Sequence, residues 1–496
     1  MLHIEEEAAR CMLCADAPCS NACKTGDPAR AIRAIRFGNG KLAGRWVAEC
    51  TDEDLEAAER ACIHYDRPIR IREMLNPVDA VDDVDADLKP SLAINFCGIR
   101  CENPFFLASS AVCTNYEMVA RAFDAGWAGV FYKTICKQDI REVSPRFDAV
   151  KEGTPDFYAF RNMEQLSENP YAVDFDILRR LKHDYPTKIV VASIMGQFEE
   201  EWIELARMAE DAGCDAVELN FSCPQMRLAG MGSDVGQNPE LVATYTTYVK
   251  NSVKIPVIPK MTPNITHMRL PAMSAYFAGA DAISAINTIK SLTMSPEAAV
   301  SGRLTISGYS GRAVKPIALR YIHEMASNPV LSGSHGKRIE LSGIGGIETW
   351  RDALEFIQLG CRNVQVCTAV MQYGYRIIED LVAGLQNYMA DRGVENLADL
   401  VGERLPQFRL PSNLDRDTVV YPKFDTGKCI GCGRCTISCA DGGHQALVFD
   451  AATRRPQLIG PKCVGCHLCR LVCPVGAISS SKRVPKRAAT PSVSCT

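Results

Sequence analysis

Residues 216–226 read "AVELNFSCPQM", a short strand-like run that ends in polar side chains and one cysteine. The first six residues predict a β-strand, and Asn220, Ser222 and Cys223 lie at its carboxyl end. A lone cysteine is more often a buried structural thiol than a catalytic group. The role of Cys223 therefore depends on what the rest of the chain places beside it.

Seven further strand candidates lie between residues 93 and 390, with amphipathic helical patterns between most of them. The strands are expected at 105–109, 128–133, 189–194, 256–261, 282–287, 338–343 and 363–367. Helices are expected, for example, at 199–212, 239–252 and 348–359. Eight strands that alternate with helices predict a (β/α)8 TIM barrel, and a doubly wound open sheet is the alternative.

In such barrels the carboxyl ends of the strands carry the chemistry. Here these ends are polar, with Ala108 and Ser109 after the first strand, Lys133 and Thr134 after the second, Lys260 after the fifth, and Asn287 and Thr288 after the sixth. The stretches "YSGRAVKP", "SGIGGIET" and "QVCTAVM" come late in the barrel. Backbone N–H groups of such glycine turns bind phosphate, so the sequence predicts a phosphate site.

The 23 cysteines are unevenly distributed, with eight between residues 429 and 473 and four between 11 and 23. Disulfide scaffolds are usually small and secreted, so metal ligation explains both groups better. The stretches "CIGCGRCTISC" and "CVGCHLCRLVCP" repeat a spacing that is typical of ferredoxins with two [4Fe-4S] clusters. Zinc is the alternative, because CxxC pairs also bind zinc.

In this duplicated motif three cysteines bind one cluster and the fourth crosses to the other. One cluster is expected on Cys429, Cys432, Cys435 and Cys473, and its twin on Cys463, Cys466, Cys469 and Cys439. Ala440 stands where the first motif usually carries proline. Two clusters close together predict an electron relay.

A phosphate-binding barrel beside an electron relay predicts a flavin, because a flavin links one-electron to two-electron chemistry. Lys133 and Lys260 would place positive charge near the pyrimidine edge of this flavin and stabilise its reduced form.

The chain has 496 residues, of which 47% are hydrophobic and 23% charged, and its formal net charge is -4. The length predicts two or three domains, and the charge gives no indication of nucleic acid binding. We find no apolar stretch long enough to span a bilayer and no export signal, which predicts a cytoplasmic protein without a membrane partner. We also find no GxGxxG motif after an early strand, so a separate partner is expected to bind NAD(P)H and FAD.

Long stretches of the sequence resemble the dihydropyrimidine dehydrogenase family, from about residue 90 to residue 478. They include "FRNMEQL", "LNFSCPQM", "MGSDVGQNPELV", "PKMTPNI", "AINTIKS", "SGYSGRAVKPIALR", "SGIGGIETW" and "MQYGYRI". The resemblance implies a barrel of the dihydroorotate dehydrogenase type that binds FMN. It also implies a hetero-oligomer in which a partner subunit with FAD and NAD(P)H sends electrons through the iron–sulfur clusters.

The resemblance assigns roles to individual residues. The substrate, uracil or thymine, would be bound by Asn162, Asn220, Ser222, Asn287 and Thr288. FMN would be bound by Ala108, Ser109, Lys133, Thr134, Lys260, Gly311, Gly345, Gly346, Cys367 and Thr368. FMN would transfer hydride to C6 and Cys223 would protonate C5, which suits a thiol whose ordinary pKa is about 8.5. The alternatives are a dihydroorotate dehydrogenase-like flavoenzyme with another small substrate, or an adaptor that only transfers electrons.

The amino-terminal stretch "CMLCADAPCSNAC" resembles the start of the cysteine-rich helical domain of the same family. One further [4Fe-4S] cluster is implied on Cys11, Cys14, Cys19 and Cys62. Cys23 and Cys50 would need two more ligands to bind a second one. A degenerate structural domain or a zinc site is the alternative.

These observations predict five segments. They are a helical cysteine-rich domain over 1–75, a linker over 76–92, the barrel over 93–410, the ferredoxin-like domain over 418–480 and a disordered tail over 481–496.

Overall fold

The computed structural model describes residues 4–75, 90–151, 156–226, 230–292, 294, 304–333, 336 and 338–486. The chain divides into two compact units, Met1–Pro406 and Gln407–Thr496, and each is described by itself.

The first unit contains a closed barrel of eight parallel strands. In chain order they are β1 (Phe105–Leu107), β2 (Gly129–Phe131), β3 (Ile189–Ile194), β4 (Ala216–Asn220), β5 (Val257–Lys260), β6 (Ala282–Ala285), β7 (Glu340–Ile344) and β8 (Cys361–Val366). Each strand pairs with its neighbours in the sequence order, and β8 pairs with β1 to close the ring. The eight predicted strands and the predicted (β/α)8 barrel are confirmed.

One long helix follows each strand on the outside of the barrel. The eight helices are Tyr116–Ala125, Tyr171–Asp184, Glu199–Asp211, Pro239–Lys250, Arg269–Phe277, Lys315–Ala326, Trp350–Gln358 and Ile377–Asp391. Polar side chains cap several of them, such as Asn238, which accepts hydrogen bonds from two backbone N–H groups of the first turn. Shorter helices lie at Ser233–Gly236 and Thr368–Tyr373.

Alternation along the strands divides the barrel interior into layers. The lower layer is apolar and includes Phe106, Phe131, Ile189, Val191, Ala216, Ile258 and Ala282. An antiparallel hairpin, Ile94–Phe96 with Ile99–Cys101, packs Ile94 and Phe96 against this layer. Because successive side chains alternate in direction, Glu218 and Asn220 share the inward face with Ala216, and the interior becomes polar toward the carboxyl ends.

A four-stranded antiparallel sheet was not expected from the sequence. It has the order Ile289–Ser291, Ser307–Ser310, Phe157–Asn162, Phe147–Lys151, and comes from the segments that follow β2 and β6. These segments leave the barrel at the carboxyl ends of their strands, so the sheet brings Asn162 to the same end of the barrel as Asn220.

The amino-terminal residues form short helices, as predicted, at Ile4–Ala9, Pro18–Ala22, Pro28–Arg36, Gly40–Trp46, Asp52–Arg60 and Ile71–Leu75. They belong to the same compact unit as the barrel. Arg33 is buried and binds Asp380 and Glu379 of the last barrel helix, with N–O distances of 2.5 Å each. Most of the predicted linker, residues 76–89, lies outside the described residues.

The second unit is built from short strands and two helices. The strands are Thr418–Val419, Pro422–Phe424, Leu447–Asp450, Arg455–Leu458, Ile478–Ser480 and Val484–Pro485, and the helices are Arg434–Gly442 and Leu468–Leu471. Val484–Pro485 pairs with Thr418–Val419, so the segment expected to be disordered begins with paired residues. Residues 487–496 lie outside the described part. Across the described residues, no helix has the length and apolar character needed to cross a membrane.

Candidate active site and iron–sulfur ligands

The predicted barrel site residues come together in one cavity at the carboxyl ends of the strands. The cavity is lined by Cys223, Asn162, Asn220, Asn287, Thr288, Ala108, Ser109, Lys133, Thr134, Lys260, Gly311, Gly345, Gly346, Cys367 and Thr368, together with further neighbours. Ser222 does not line it. This serine is fully buried and donates a hydrogen bond to Asn220 Oδ1 at 2.8 Å, so it positions the asparagine.

Cys223 lies in the wall of the cavity and is 4% exposed. Burial raises the pKa of its thiol, and the positive charge of Lys133 opposes this only in part. The backbone around it is tightly packed, because a Cβ on Gly232 would lie 2.3 Å from the carbonyl oxygen of Cys223. Gly232 also has φ +55°, a backbone conformation that residues with a side chain rarely adopt. Glycine is therefore required at this position, where the backbone packs against Cys223.

A chain of hydrogen bonds joins the strand ends beneath the cavity. Asn220 Nδ2 donates to Thr134 Oγ1 at 2.8 Å, and Ser109 Oγ lies 3.1 Å from the same oxygen. Thr134 Oγ1 in turn lies 2.9 Å from Ser193 Oγ. Asn220, Thr134 and Ser109, three of the predicted site residues, therefore hold one another in place.

Both strand-end lysines have a buried carboxylate partner, which sequence reasoning missed. Lys133 Nζ lies 2.9 Å from Glu164 Oε2, and Lys260 Nζ lies 3.6 Å from Glu218 Oε1. All four side chains are at most 7% exposed. The signals were present in "RNMEQL" and "AVELNF", but only the fold shows which lysine each glutamate meets.

The glycine turn after β7 forms a close-fitting cradle. Gly345 has φ +124° and Gly346 has φ +75°, and a Cβ on Gly346 would lie 2.8 Å from the backbone nitrogen of Lys315. Glu348 follows this turn and also lines the cavity. Burial raises the pKa of Glu348 to about 7, and Arg312 opposes the shift.

The second unit contains two small cavities, each lined by one of the predicted cysteine quartets. Cys429, Cys432, Cys435 and Cys473 line one, and Cys439, Cys463, Cys466 and Cys469 line the other. Each quartet therefore includes the cysteine that was expected to cross over. Among the described residues, no three His, Cys, Asp or Glu side chains converge closely enough to hold a single metal ion. Thiols that surround a space fit a multi-atom cluster better than one zinc ion, whose Zn–S bonds are about 2.3 Å.

The two cavities are built by equivalent local structure. Gly431 and Gly465 both have positive φ, and a Cβ at either would lie within 2.7 Å of a carbonyl oxygen. The backbone N–H of Ala446 donates to Cys439 Sγ and that of Ala477 to Cys473 Sγ, each at 3.3 Å. The two sulfurs that are expected to cross over are thus the ones that receive these N–H···S bonds.

Ala440 has a structural explanation. It lies inside the nine-residue helix Arg434–Gly442, which a proline at this position would interrupt. The second motif has Pro474 at the equivalent position, and its helix, Leu468–Leu471, ends before it.

The thiols of the amino-terminal quartet lie within electrostatic reach of one another. Burial raises the pKa of Cys19 to about 11, and the neighbouring thiols of Cys11, Cys62 and Cys14 add to the shift. Arg376 at the start of the last barrel helix donates to the carbonyl oxygens of Leu13 and Cys14, at 2.5 and 3.3 Å.

Cys23 and Cys50 form a separate pair, with their sulfur atoms 3.3 Å apart. A Cβ on Gly26 would lie 2.4 Å from Cys50 Sγ and 2.6 Å from the carbonyl oxygen of Trp46. The backbone of Gly26 therefore passes close to this pair, and glycine is required there.

Comparisons with known proteins agree with this architecture. Residues 91–389 match the family model described as dihydroorotate dehydrogenase, and residues 423–480 match the 4Fe-4S dicluster domain. The chain is 51% identical over 397 residues to the NAD-dependent dihydropyrimidine dehydrogenase subunit PreA of Escherichia coli K12, covering 79% of this chain and 95% of that one.

More distant relatives match about two thirds of the chain. The chloroplastic dihydropyrimidine dehydrogenase (NADP(+)) of Arabidopsis thaliana is 36% identical over 66% of this chain and 80% of its own. The catalytic subunit of dihydroorotate dehydrogenase B (NAD(+)) of Pyrococcus abyssi is 34% identical over 63% of this chain and 98% of its own. The structure of the Eimeria tenella dihydroorotate dehydrogenase in complex with ferulenol shares the fold, with a TM-score of 0.54 and 19% identity over 65% of this chain and 90% of that one.

The barrel implies a flavin and the second unit implies iron–sulfur clusters, because both follow from the matched families. The chain therefore belongs to the dihydroorotate dehydrogenase family of oxidoreductases, in the group that includes the dihydropyrimidine dehydrogenase subunit PreA.

Proposed function

We propose that this chain catalyses the reversible reduction of uracil and thymine to 5,6-dihydropyrimidines. The observation that supports this most is the convergence in one cavity of a buried thiol, amide side chains on three elements and two strand-end lysines. The substrate is inferred from this set together with the names of the relatives.

The residues that line the cavity suit FMN, because they combine a glycine turn with two strand-end lysines. Gly345 and Gly346 would offer backbone N–H groups to the phosphate, while Lys133 and Lys260 would lie near the ring system. When bound and reduced, FMN supplies the hydride for C6 of the pyrimidine ring.

The amide side chains suit a pyrimidine base, whose ring edge alternates carbonyl acceptors with N–H donors. Asn162, Asn220 and Asn287 each offer one acceptor and one amide donor, and Thr288 adds a hydroxyl. Asn162 comes from the antiparallel sheet, whereas Asn220 and Asn287 come from barrel strand ends. A base held from both directions would be fixed in the plane of its ring.

Cys223 would provide the proton for C5. Its buried thiol stays protonated at neutral pH because its pKa is raised, so it can act as a general acid without further activation. In the reverse direction the thiolate would accept the same proton.

Electrons would reach the flavin through [4Fe-4S] clusters. Two would be held by the cysteine quartets of the second unit and one by Cys11, Cys14, Cys19 and Cys62. A partner subunit carrying FAD and the NAD(P)H site would supply the electrons in a cytoplasmic hetero-oligomer. The Escherichia coli relative is named as a subunit, which supports this arrangement.

Anaerobic reconstitution with FMN and iron–sulfur clusters tests the proposal. The chemically reduced protein should convert uracil to dihydrouracil, quantified by chromatography, and orotate should give much less product. FMN binding without dihydrouracil would refute the pyrimidine assignment, and preferential reduction of orotate would favour the dihydroorotate alternative.

A further inference from the structure

Glu218 is a fully buried carboxylate that lies beneath the cavity floor. It occupies the middle of β4, between Ala216 of the apolar layer and Asn220 of the cavity wall, on the same inward face. Its side chain is 0% exposed, and it does not line the cavity itself. A carboxylate in such a place is costly unless other groups compensate its charge.

Two contacts compensate Glu218, and both use the same oxygen. Ser193 Oγ donates to Oε1 at 3.0 Å, and Lys260 Nζ lies 3.6 Å from it. The strand register explains why these three side chains are in contact. Glu218 pairs with Ser193 of β3, and Lys260 of β5 pairs with Asn220, two residues further along β4. The other oxygen, Oε2, is buried without a hydrogen-bond partner among the described residues.

The carboxylate also fixes the direction of the hydroxyl chain above it. An ionised carboxylate can only accept, so Ser193 must give its hydrogen to Glu218. The Ser193 oxygen then accepts from Thr134, and Thr134 Oγ1 is left to accept from Asn220 Nδ2 and Ser109. Asn220 Oδ1 accepts from the hydroxyl and from the backbone N–H of Ser222 in the same arrangement. The charge on Glu218 thus supports, from the Thr134 side, the amide direction that Ser222 sets from the other side.

We propose that Glu218 is a positioning residue that acts on the flavin through Lys260 and on the substrate through the Ser193–Thr134–Asn220 chain. The proposal rests on the proposed function, because it assumes that a flavin lies beside Lys260. A negative charge paired with Lys260 reduces the positive potential that this lysine presents to the reduced, anionic flavin. Glu218 therefore holds the flavin midpoint potential below the value that an unpaired lysine would give.

The test is the midpoint potential of bound FMN in Glu218→Gln, a variant of nearly the same shape. We expect Glu218→Gln to shift the two-electron equilibrium at least tenfold toward reduced FMN. This shift is a rise of about 30 mV in the midpoint potential. Lys260→Met and the double variant Glu218→Gln/Lys260→Met complete a double-mutant cycle. If Glu218 acts through Lys260, the effect of Glu218→Gln disappears when Lys260 is absent, whereas an equal shift in both backgrounds would overturn the positioning role.

Two further variants separate the outcomes. Glu348→Gln removes a carboxylate from the glycine-turn end of the same cavity and should alter FMN affinity rather than potential. Ser193→Ala keeps the charge of Glu218 but breaks the chain, so uracil should bind several-fold more weakly while the potential stays near that of the parent. An unchanged uracil dissociation constant would show that the Ser193–Thr134–Asn220 hydrogen bonds do not act on the substrate. Ser193→Ala also tests the proposal if Glu218→Gln does not fold. Loss of FMN binding by the parent chain would refute the proposed function instead.

Discussion

At Cys223, burial keeps the proposed proton donor in its protonated form, because a thiol without water around it holds its proton more firmly. Many other thiols in this chain are equally buried, such as Cys214, which is 3% exposed behind the barrel wall. Location distinguishes them, since Cys223 lines the cavity and Cys214 does not.

Replacing Cys223 by alanine should reduce the rate of dihydrouracil formation by about 10²–10⁴-fold, the usual contribution of a positioned general acid. FMN binding should be unchanged, which the flavin absorbance of the purified protein measures. Cys214→Ala is the matched control and should keep its activity. Equal losses in the two variants would show that the effect is structural.

Glu348 predicts a pH dependence of FMN affinity. Its raised pKa of about 7 means that it is largely protonated at pH 6.5 and ionised at pH 8.5. The ionised carboxylate would repel the FMN phosphate, so affinity should fall several-fold as the pH rises through this window. Flavin fluorescence titrations measure it, and Glu348→Gln should remove most of the change. A parent and variant with the same pH profile would contradict the assignment.

At the scale of elements, sequence patterns predicted the features that depend on residues close together in the sequence. The eight strands follow from local periodicity, and both cysteine quartets follow from a repeated spacing. Glu164 and Glu218 could not be identified in this way, because their lysine partners come from other strands. The antiparallel sheet was missed for a similar reason, since its strands come from two insertions far apart in the sequence.

The amino-terminal helices should depend on the buried ion pair of Arg33 with Asp380. Removing one partner leaves a buried charge uncompensated, so Arg33→Met should destabilise their docking by about 3–5 kcal/mol. Hydrogen exchange of residues 28–46 measures this. Lys41→Met is the control, because its pair with Asp391 is 33% and 55% exposed and should contribute about 0–1 kcal/mol.

The crossed quartets make a specific prediction for the second unit. Cys439→Ala should expose Cys463, Cys466 and Cys469 to alkylation under native, anaerobic conditions, whereas Cys473→Ala should expose Cys429, Cys432 and Cys435. Peptide mapping by mass spectrometry identifies the modified thiols. Exposure of Cys429, Cys432 and Cys435 in Cys439→Ala would show that each motif binds its own cluster.

At the scale of the whole molecule, the chain combines a catalytic barrel with cysteine quartets in both of its compact units. We expect reduced methyl viologen to drive uracil reduction by the isolated, cluster-containing protein, because a small reductant can donate electrons without a partner subunit. NADH should fail to do so without the partner subunit. Substantial NADH-driven turnover by this chain alone would refute the need for a partner.

The pairing of each cavity lysine with a glutamate also affects which molecules can bind in the cavity. Among the described residues that line the cavity, Lys133 and Lys260 are the only cations, and both already face a carboxylate. A neutral base such as uracil can enter without separating these pairs. Orotate carries a carboxylate that would compete with Glu164 or Glu218 for a lysine, at the desolvation cost of a buried anion. We therefore expect the proposed substrate site to discriminate by formal charge and to favour uncharged rings.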